Sequence, residues 1–276
     1  MRPRPTLAGA LLLLLAPGFL PAGELPPIAV LGALESETQP VAAALESREP
    51  VPVRGVSCVA GPLGGRRVVV AVTGVGKVNA AMATALVIDR FSPAAVLFSG
   101  VAGALDPQLQ PGDVVVGEKL VQHDLVNHDE GGPVLRSVRN PLDGVANPIV
   151  FESSSTLLAL ARVAASRAEL ERALTDEGAR PPRVLFGTIA TGDSFVGSQA
   201  RKAELRETLG ADAVEMEGAA VAQVCHQRGV PFLVVRGLSD RAGNDARQEA
   251  RRHLGVAARN AARIATAVAR QLAERR

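Results

Sequence analysis

Three carboxylates stand where a reaction could use them. Glu37 ends the stretch Gly32-Ala33-Leu34-Glu35-Ser36-Glu37, just after an apolar run. Glu217 follows Val214-Glu215-Met216, where a second apolar run gives way to a helical pattern. Asp240 follows Leu238-Ser239 at the end of a third. In open α/β sheets, ligands bind beyond the carboxyl ends of the strands, which is where all three fall. A single acid at such a place is ordinarily a helix cap or a partner of the helix dipole, and Glu35 and Glu215 read that way. Glu37, Glu217 and Asp240 together fit a chemical task. Breaking a bond to an anomeric carbon passes through an oxocarbenium-like state. It needs an acid for the leaving group and a base for water.

Two phosphate motifs fail. Gly74-Val75-Gly76-Lys77-Val78-Asn79 follows a strand-like run and opens a helical one, but Asn79 takes the third glycine place of the dinucleotide fingerprint. No acid follows about 20 positions on in a strand-end context. A P-loop fails too, because Val78 follows Gly76-Lys77 and Ala71 stands in the first glycine place. The turn reads either as a tight strand–helix junction or as a substrate-lining loop. His123, His128 and the other two histidines lack ligand spacing, and Cys58 and Cys225 make no metal set, so no metal or cofactor is expected. Both cysteines lie in apolar runs and read as buried free thiols.

The elements that must position these acids alternate. Strand-like runs cover 28–33, 94–99, 113–121, 184–191 and 231–238, and 53–60 with 67–73 reads as a hairpin around Gly61–Gly65. Helical patterns cover 35–47, 78–90, 156–173 and 200–209 and close the chain over 246–276, while 214–228 starts as a strand end and becomes a helix. Strands alternating with helices predict an α/β layered fold with a largely parallel or mixed sheet. Continuous apolar strands such as Val68–Val72 predict a sheet covered on both faces. The segment Asn127–Asn147 reads as a long loop.

The residues also resemble a family. Val30-Leu31-Gly32-Ala33-Leu34-Glu35-Ser36-Glu37, Thr73-Gly74-Val75-Gly76-Lys77, Ser99-Gly100-Val101-Ala102-Gly103, Gly112-Asp113-Val114-Val115-Val116, Thr191-Gly192-Asp193-Ser194-Phe195-Val196, Val214-Glu215-Met216-Glu217-Gly218-Ala219-Ala220 and Val235-Arg236-Gly237-Leu238-Ser239-Asp240 occur in that order. The chain is similar to the methylthioadenosine/S-adenosylhomocysteine nucleosidases of the nucleoside phosphorylase-I superfamily, over nearly all of residues 28–270. The resemblance implies a three-layer α/β/α fold with a central mixed sheet. It makes Glu37 the water-activating base and Asp240, oriented by Ser239, the acid that protonates adenine at N7. Glu217 would hold the ribose hydroxyls and Met216 would pack beneath them. Phe195 would pack on the base, and the backbone of Val196 would read its edge. Val101, Ala102, Gly103 and Glu215 complete the substrate-lining set. A homodimer whose neighbour closes the 5′ pocket is implied, with no cofactor or metal.

Phosphorylases on this fold need cations around phosphate. Here Glu37 occupies the first loop and Phe98 precedes Ser99, so water is favoured as nucleophile. A phosphate-using purine nucleoside phosphorylase and an exported nucleoside-binding protein are the alternatives. Val101 stands where these nucleosidases more often carry Ser or Thr, and 123–151 departs from their 5′-group loop, leaving the 5′ substituent open.

Residues 1–22 read as a secretory signal, with Arg2 and Arg4 before an apolar run that contains Leu11–Leu15. An exported, periplasmic protein is expected, with an uncleaved anchor as the alternative and no membrane contact after processing. Residues 23–276 read as a single domain. Removing Arg2 and Arg4 leaves 28 basic against 28 acidic residues, so the charge gives no argument for a nucleic-acid partner. With seven Phe and no Trp or Tyr, an aromatic platform for stacking single strands is hard to build. The expected partner is a small nucleoside.

Overall fold

The computed structural model describes residues 25–174, 178 and 180–275; the secretory signal expected over residues 1–22 lies outside them. The chain runs β1 (Ile28–Gly32), α1 (Glu35–Ala43), β2 (Glu49–Pro50), β3 (Ser57–Leu63), β4 (Arg66–Val72), α2 (Lys77–Phe91), β5 (Ala95–Ala104) and β6 (Val114–Gln122). It continues with β7 (Val126–Asp129), β8 (Gly132–Leu135), β9 (Val150–Glu152), α3 (Ser155–Arg167), β10 (Val184–Thr191), α4 (Gln199–Leu209), β11 (Ala213–Glu215), α5 (Gly218–Gln227), β12 (Phe232–Asp240) and α6 (Ala246–Ala273).

The central sheet is mixed, in the order β11-β10-β6-β12-β5-β1-β4-β3-β2, with β9 beside β6. β1 lies parallel to β4 and β5, and β5 parallel to β12, whereas β12 and β6 are antiparallel. β11 also pairs antiparallel with β5, so one half of the sheet curls into a closed ring of strands. The period of two along each strand divides the core. Ala29 and Leu31 pack with α2 and α5, while Ile28 and Val30 pack with α1, α3 and α6. Every inner strand therefore needs apolar residues on both sides, which is why the runs are continuous. The result is three layers, α/β/α.

Two expectations are corrected. The segment 127–147 is not a bare loop, because Val126–Asp129 and Gly132–Leu135 form a hairpin of their own. The third helix stops at Arg167 rather than 173, since the chain at Ala168 turns extended. There Glu171 is drawn to α6, accepting from Arg259 and Arg263 while its N–H donates to Asn260. The early hairpin turns at Gly64-Gly65, both at positive φ, where glycine carries no steric cost. Cys58 and Cys225 are free and buried. No described helix is long and apolar enough to cross a membrane.

Candidate active site

The acids gather around β5: β1 and β12 run parallel to it and lead to Glu37 and Asp240, and β11 pairs with it antiparallel and leads to Glu215 and Glu217. Glu37 arrives in the first turn of α1, 2% exposed. One carboxylate oxygen accepts the N–H of Leu34 at 2.9 Å, which caps the helix. The other accepts the N–H of Val101 at 2.9 Å, across the sheet on β5. Burial raises the Glu37 pKa, opposed by the Arg236 charge and these N–H bonds. A carboxylate made more basic this way is better suited to take a proton from water.

Asp240 is set by a bulge. The β12–β5 register slips between Leu238 and Asp240, so Ser239 is the extra residue and Asp240 pairs with Gly103. Ser239 Oγ donates to Asp240 Oδ2 at 2.8 Å, and Oδ1 accepts from the N–H of Ala242 at 2.9 Å. Burial raises the Asp240 pKa and these two bonds moderate the rise. A carboxyl displaced upward is the kind that can hold a proton for a leaving group.

The sequence reading did not single out Arg236, which sits at the centre. It is fully buried in β12, ion-paired to Glu215 and 3.5 Å from Glu217, with its guanidinium 4.3 Å from the ring centre of Phe98. A charge inside the apolar run Phe232–Leu238 had to find acidic partners, and that was the available signal. Glu215 works within the protein. It takes bonds from Thr191, Arg236 and the N–H groups of Glu217 and Gly218, so it caps α5 and clamps Arg236. Glu217 accepts the N–H of Gly76 at 2.8 Å. The glycines of β5 make room. A Cβ on Gly100 would stand 1.9 Å from Arg236 Nη1 and 2.7 Å from Glu37 Oε1, and one on Gly103 would stand 2.8 Å from Asp240 Oδ1.

Val101 and Met216 are half-buried beside these acids in sequence, and Ala102 and Val196 are buried. Phe195 stands apart, 44% exposed, with the guanidinium of Arg247 5.3 Å from its ring centre. Among the described residues no group of three or more His, Cys, Asp or Glu is placed to hold a metal ion.

Burial and the neighbouring Glu215 push the Glu217 pKa from 4.5 to about 7, with Arg236 opposing. The folded chain then holds this proton more tightly than the unfolded one. Its contribution is full below 4.5 and is lost as pH rises through about 7. Burial gives Glu37 and Asp240 the same sign. Melting of the ligand-free protein should therefore shift to lower temperature between about pH 5 and 8, by a destabilisation on the order of 1–3 kcal/mol. Glu217→Gln should flatten the decline. An equally steep decline in that variant would remove Glu217 as its source.

The fold has known counterparts. The family model described as the phosphorylase superfamily matches residues 27–273. The 5′-methylthioadenosine/S-adenosylhomocysteine nucleosidase of Mycobacterium bovis is 36% identical over 218 residues, covering 74% of this chain and 81% of that protein. The nucleosidase of the same name from Neisseria meningitidis, solved with methylthio-immucillin-A, is 37% identical with a TM-score of 0.77, covering 90% of this chain and all of that one. A futalosine hydrolase from Helicobacter pylori is 33% identical with a TM-score of 0.74, covering 88% of this chain and 96% of that one. On these matches and on its ordered motifs, the chain belongs to the 5′-methylthioadenosine/S-adenosylhomocysteine nucleosidase family of the phosphorylase superfamily.

Proposed function

We propose that this protein hydrolyses the N-glycosidic bond of an adenine nucleoside of the 5′-methylthioadenosine, S-adenosylhomocysteine or 5′-deoxyadenosine type. The products are adenine and a 5-substituted ribose. Glu37 takes a proton from water, which attacks the anomeric carbon as the bond to adenine breaks. Asp240 gives its proton to adenine N7, so that the base leaves neutral rather than as an anion. Glu217 holds the ribose hydroxyls over Met216, Phe195 packs on the base, and the Val196 backbone reads its edge.

The observation that carries this reading is the setting of Glu37. It is a buried carboxylate held by two N–H groups. It lies where phosphate chemistry would need free cations, and the nearby Arg236 is already faced by Glu215 and Glu217. The test is chromatography of products from methylthioadenosine, S-adenosylhomocysteine, 5′-deoxyadenosine, adenosine, inosine and futalosine, each with and without phosphate. Adenine release that ignores phosphate is expected. A strict phosphate requirement, with a sugar phosphate formed, would make the protein a phosphorylase. Bound but uncleaved nucleoside would make it a binding protein.

The 5′ group is decided near 123–151, the part least like the family in sequence. A homodimer is the second element of the proposal. Val75 and the first turns of α2 expose Val78 and Met82, and Ile149 and Val150 are exposed too. Apolar surface of this kind is what a second copy would cover. Light scattering at the monomer mass would overturn it. Export through residues 1–22 is the third, and N-terminal sequencing of protein from the periplasmic fraction tests it.

A further inference from the structure

Three elements meet at a closed ring of bonds outside the carboxylate cluster. Lys77 opens α2, Asp124 follows the end of β6, and Asp193 lies in the loop after β10. Lys77 Nζ donates to Asp124 Oδ1 at 2.6 Å and to Gln122 Oε1 at 3.1 Å. The N–H of Asp193 donates to Asp124 Oδ2 at 2.8 Å. The N–H of Lys77 donates to Asp193 Oδ1 at 2.8 Å and closes the ring. The side chains of Lys77 and Asp124 are only 18% and 31% exposed, so solvent screens the pair less than it would an open surface bridge.

The ring joins two parts of the site. On one side, the residue before Lys77 is Gly76, whose N–H is held by Glu217. On the other, Asp193 begins the stretch Asp193-Ser194-Phe195-Val196. Asp124 is thus the acceptor that anchors this loop to the turn bound by the ribose carboxylate. Partial burial raises its pKa, but Lys77 and the Asp193 N–H outweigh that and hold it below the usual range. The loop has a second support behind it. The His123 ring lies so close to Gly192 that a Cβ there would stand 2.3 Å from Nε2, and His123 Nδ1 is 3.0 Å from Arg201.

We propose that Asp124, clamped by Lys77, is a positioning residue that sets the distance between the base-reading loop and the ribose-binding turn, and so governs affinity for the base. This rests on the proposed roles of Phe195 and Val196. Asp124→Asn keeps the size but offers an amide donor where one of two donors must be accepted, so one bond of the ring is lost.

The test uses the full chain and the two products as separate inhibitors. For Asp124→Asn, the inhibition constant of free adenine should rise about tenfold, while that of the 5-substituted ribose and kcat stay within about threefold. Amide exchange in a peptide covering 192–198 should quicken in the same variant. Lys77→Met should reproduce both effects, and Lys77→Arg, which keeps a cation, should recover most of the adenine affinity. Equal weakening of both products would make Asp124 merely structural and overturn the proposal, as would an unchanged adenine constant. Wild-type protein that binds no adenine would overturn the proposed function instead. The exchange measurement then judges the ring alone, and unchanged exchange in Asp124→Asn would overturn it.

Discussion

Glu37→Gln is expected to lower kcat by about 10²–10⁴, the usual contribution of a general base. Near 1.4 kcal/mol per decade, that is about 3–5 kcal/mol of transition-state stabilisation. The amide cannot take a proton from water, yet its shape is that of the carboxylate. Its carbonyl can satisfy either Leu34 or Val101, and the other N–H then meets an amide donor. A modest loss of stability accompanies the loss of rate. Arg236 keeps Glu215 and Glu217 as partners, so the buried cation is not orphaned. Substrate affinity should change by no more than severalfold, since Glu37 acts on water rather than on the nucleoside. Equilibrium binding and single-turnover rates separate the two quantities. A variant that turns over within tenfold of wild type would take Glu37 out of the mechanism.

The strands and helices were legible because each inner strand is apolar on both faces and each helix brings its own stripe. Ile28–Gly32 and Val184–Thr191 lie where the runs place them. The motif acids were legible for a related reason. Strand ends followed by helix starts are fixed in sequence, and β1 and β12 run parallel to β5 so that their ends meet there, although β11 reaches β5 antiparallel. What escaped was non-local. The pairing of Val214 with Gly103 closes the strand ring across more than a hundred residues, with no local signal. The end of α3 is set by Arg259 and Arg263 on α6 and not by helix propensity near Ala168. The glycine turn at Gly74–Lys77 could be read either as a junction or as part of a site. It is a junction whose N–H groups of Gly76 and Lys77 hold two acids of the site region. Arg236 stood within a recognised motif without a role, although a lone charge in an apolar strand implies buried acids opposite it.

Asp240→Asn separates the two halves of the mechanism by the leaving group. The proton on N7 matters in proportion to how poorly the base leaves without it. With an adenine nucleoside, the variant should lose about 10²–10⁴ in kcat. The substituted side chain can still accept from the Ala242 N–H through its carbonyl, and its NH₂ group can turn to Ser239, whose hydroxyl both donates and accepts. The fold at the bulge should survive, and unchanged melting would show that it has. With a 5-substituted p-nitrophenyl riboside, the leaving group departs as a stable anion and needs no acid. On that substrate Asp240→Asn should fall within about tenfold of wild type, while Glu37→Gln should remain slow because water must still be activated. The contrast between substrates, rather than either rate alone, identifies the acid. If Asp240→Asn were equally impaired on both, Asp240 would serve binding or structure and the proton on N7 would have to come from elsewhere. If it were unimpaired on adenine nucleosides, a raised pKa and a bulge that aims the carboxyl would have no part in the chemistry. Burial, which raises the Asp240 pKa, and the bond from Ser239, which opposes that rise but fixes the carboxyl in one orientation at the end of β12, favour a loss confined to adenine nucleosides.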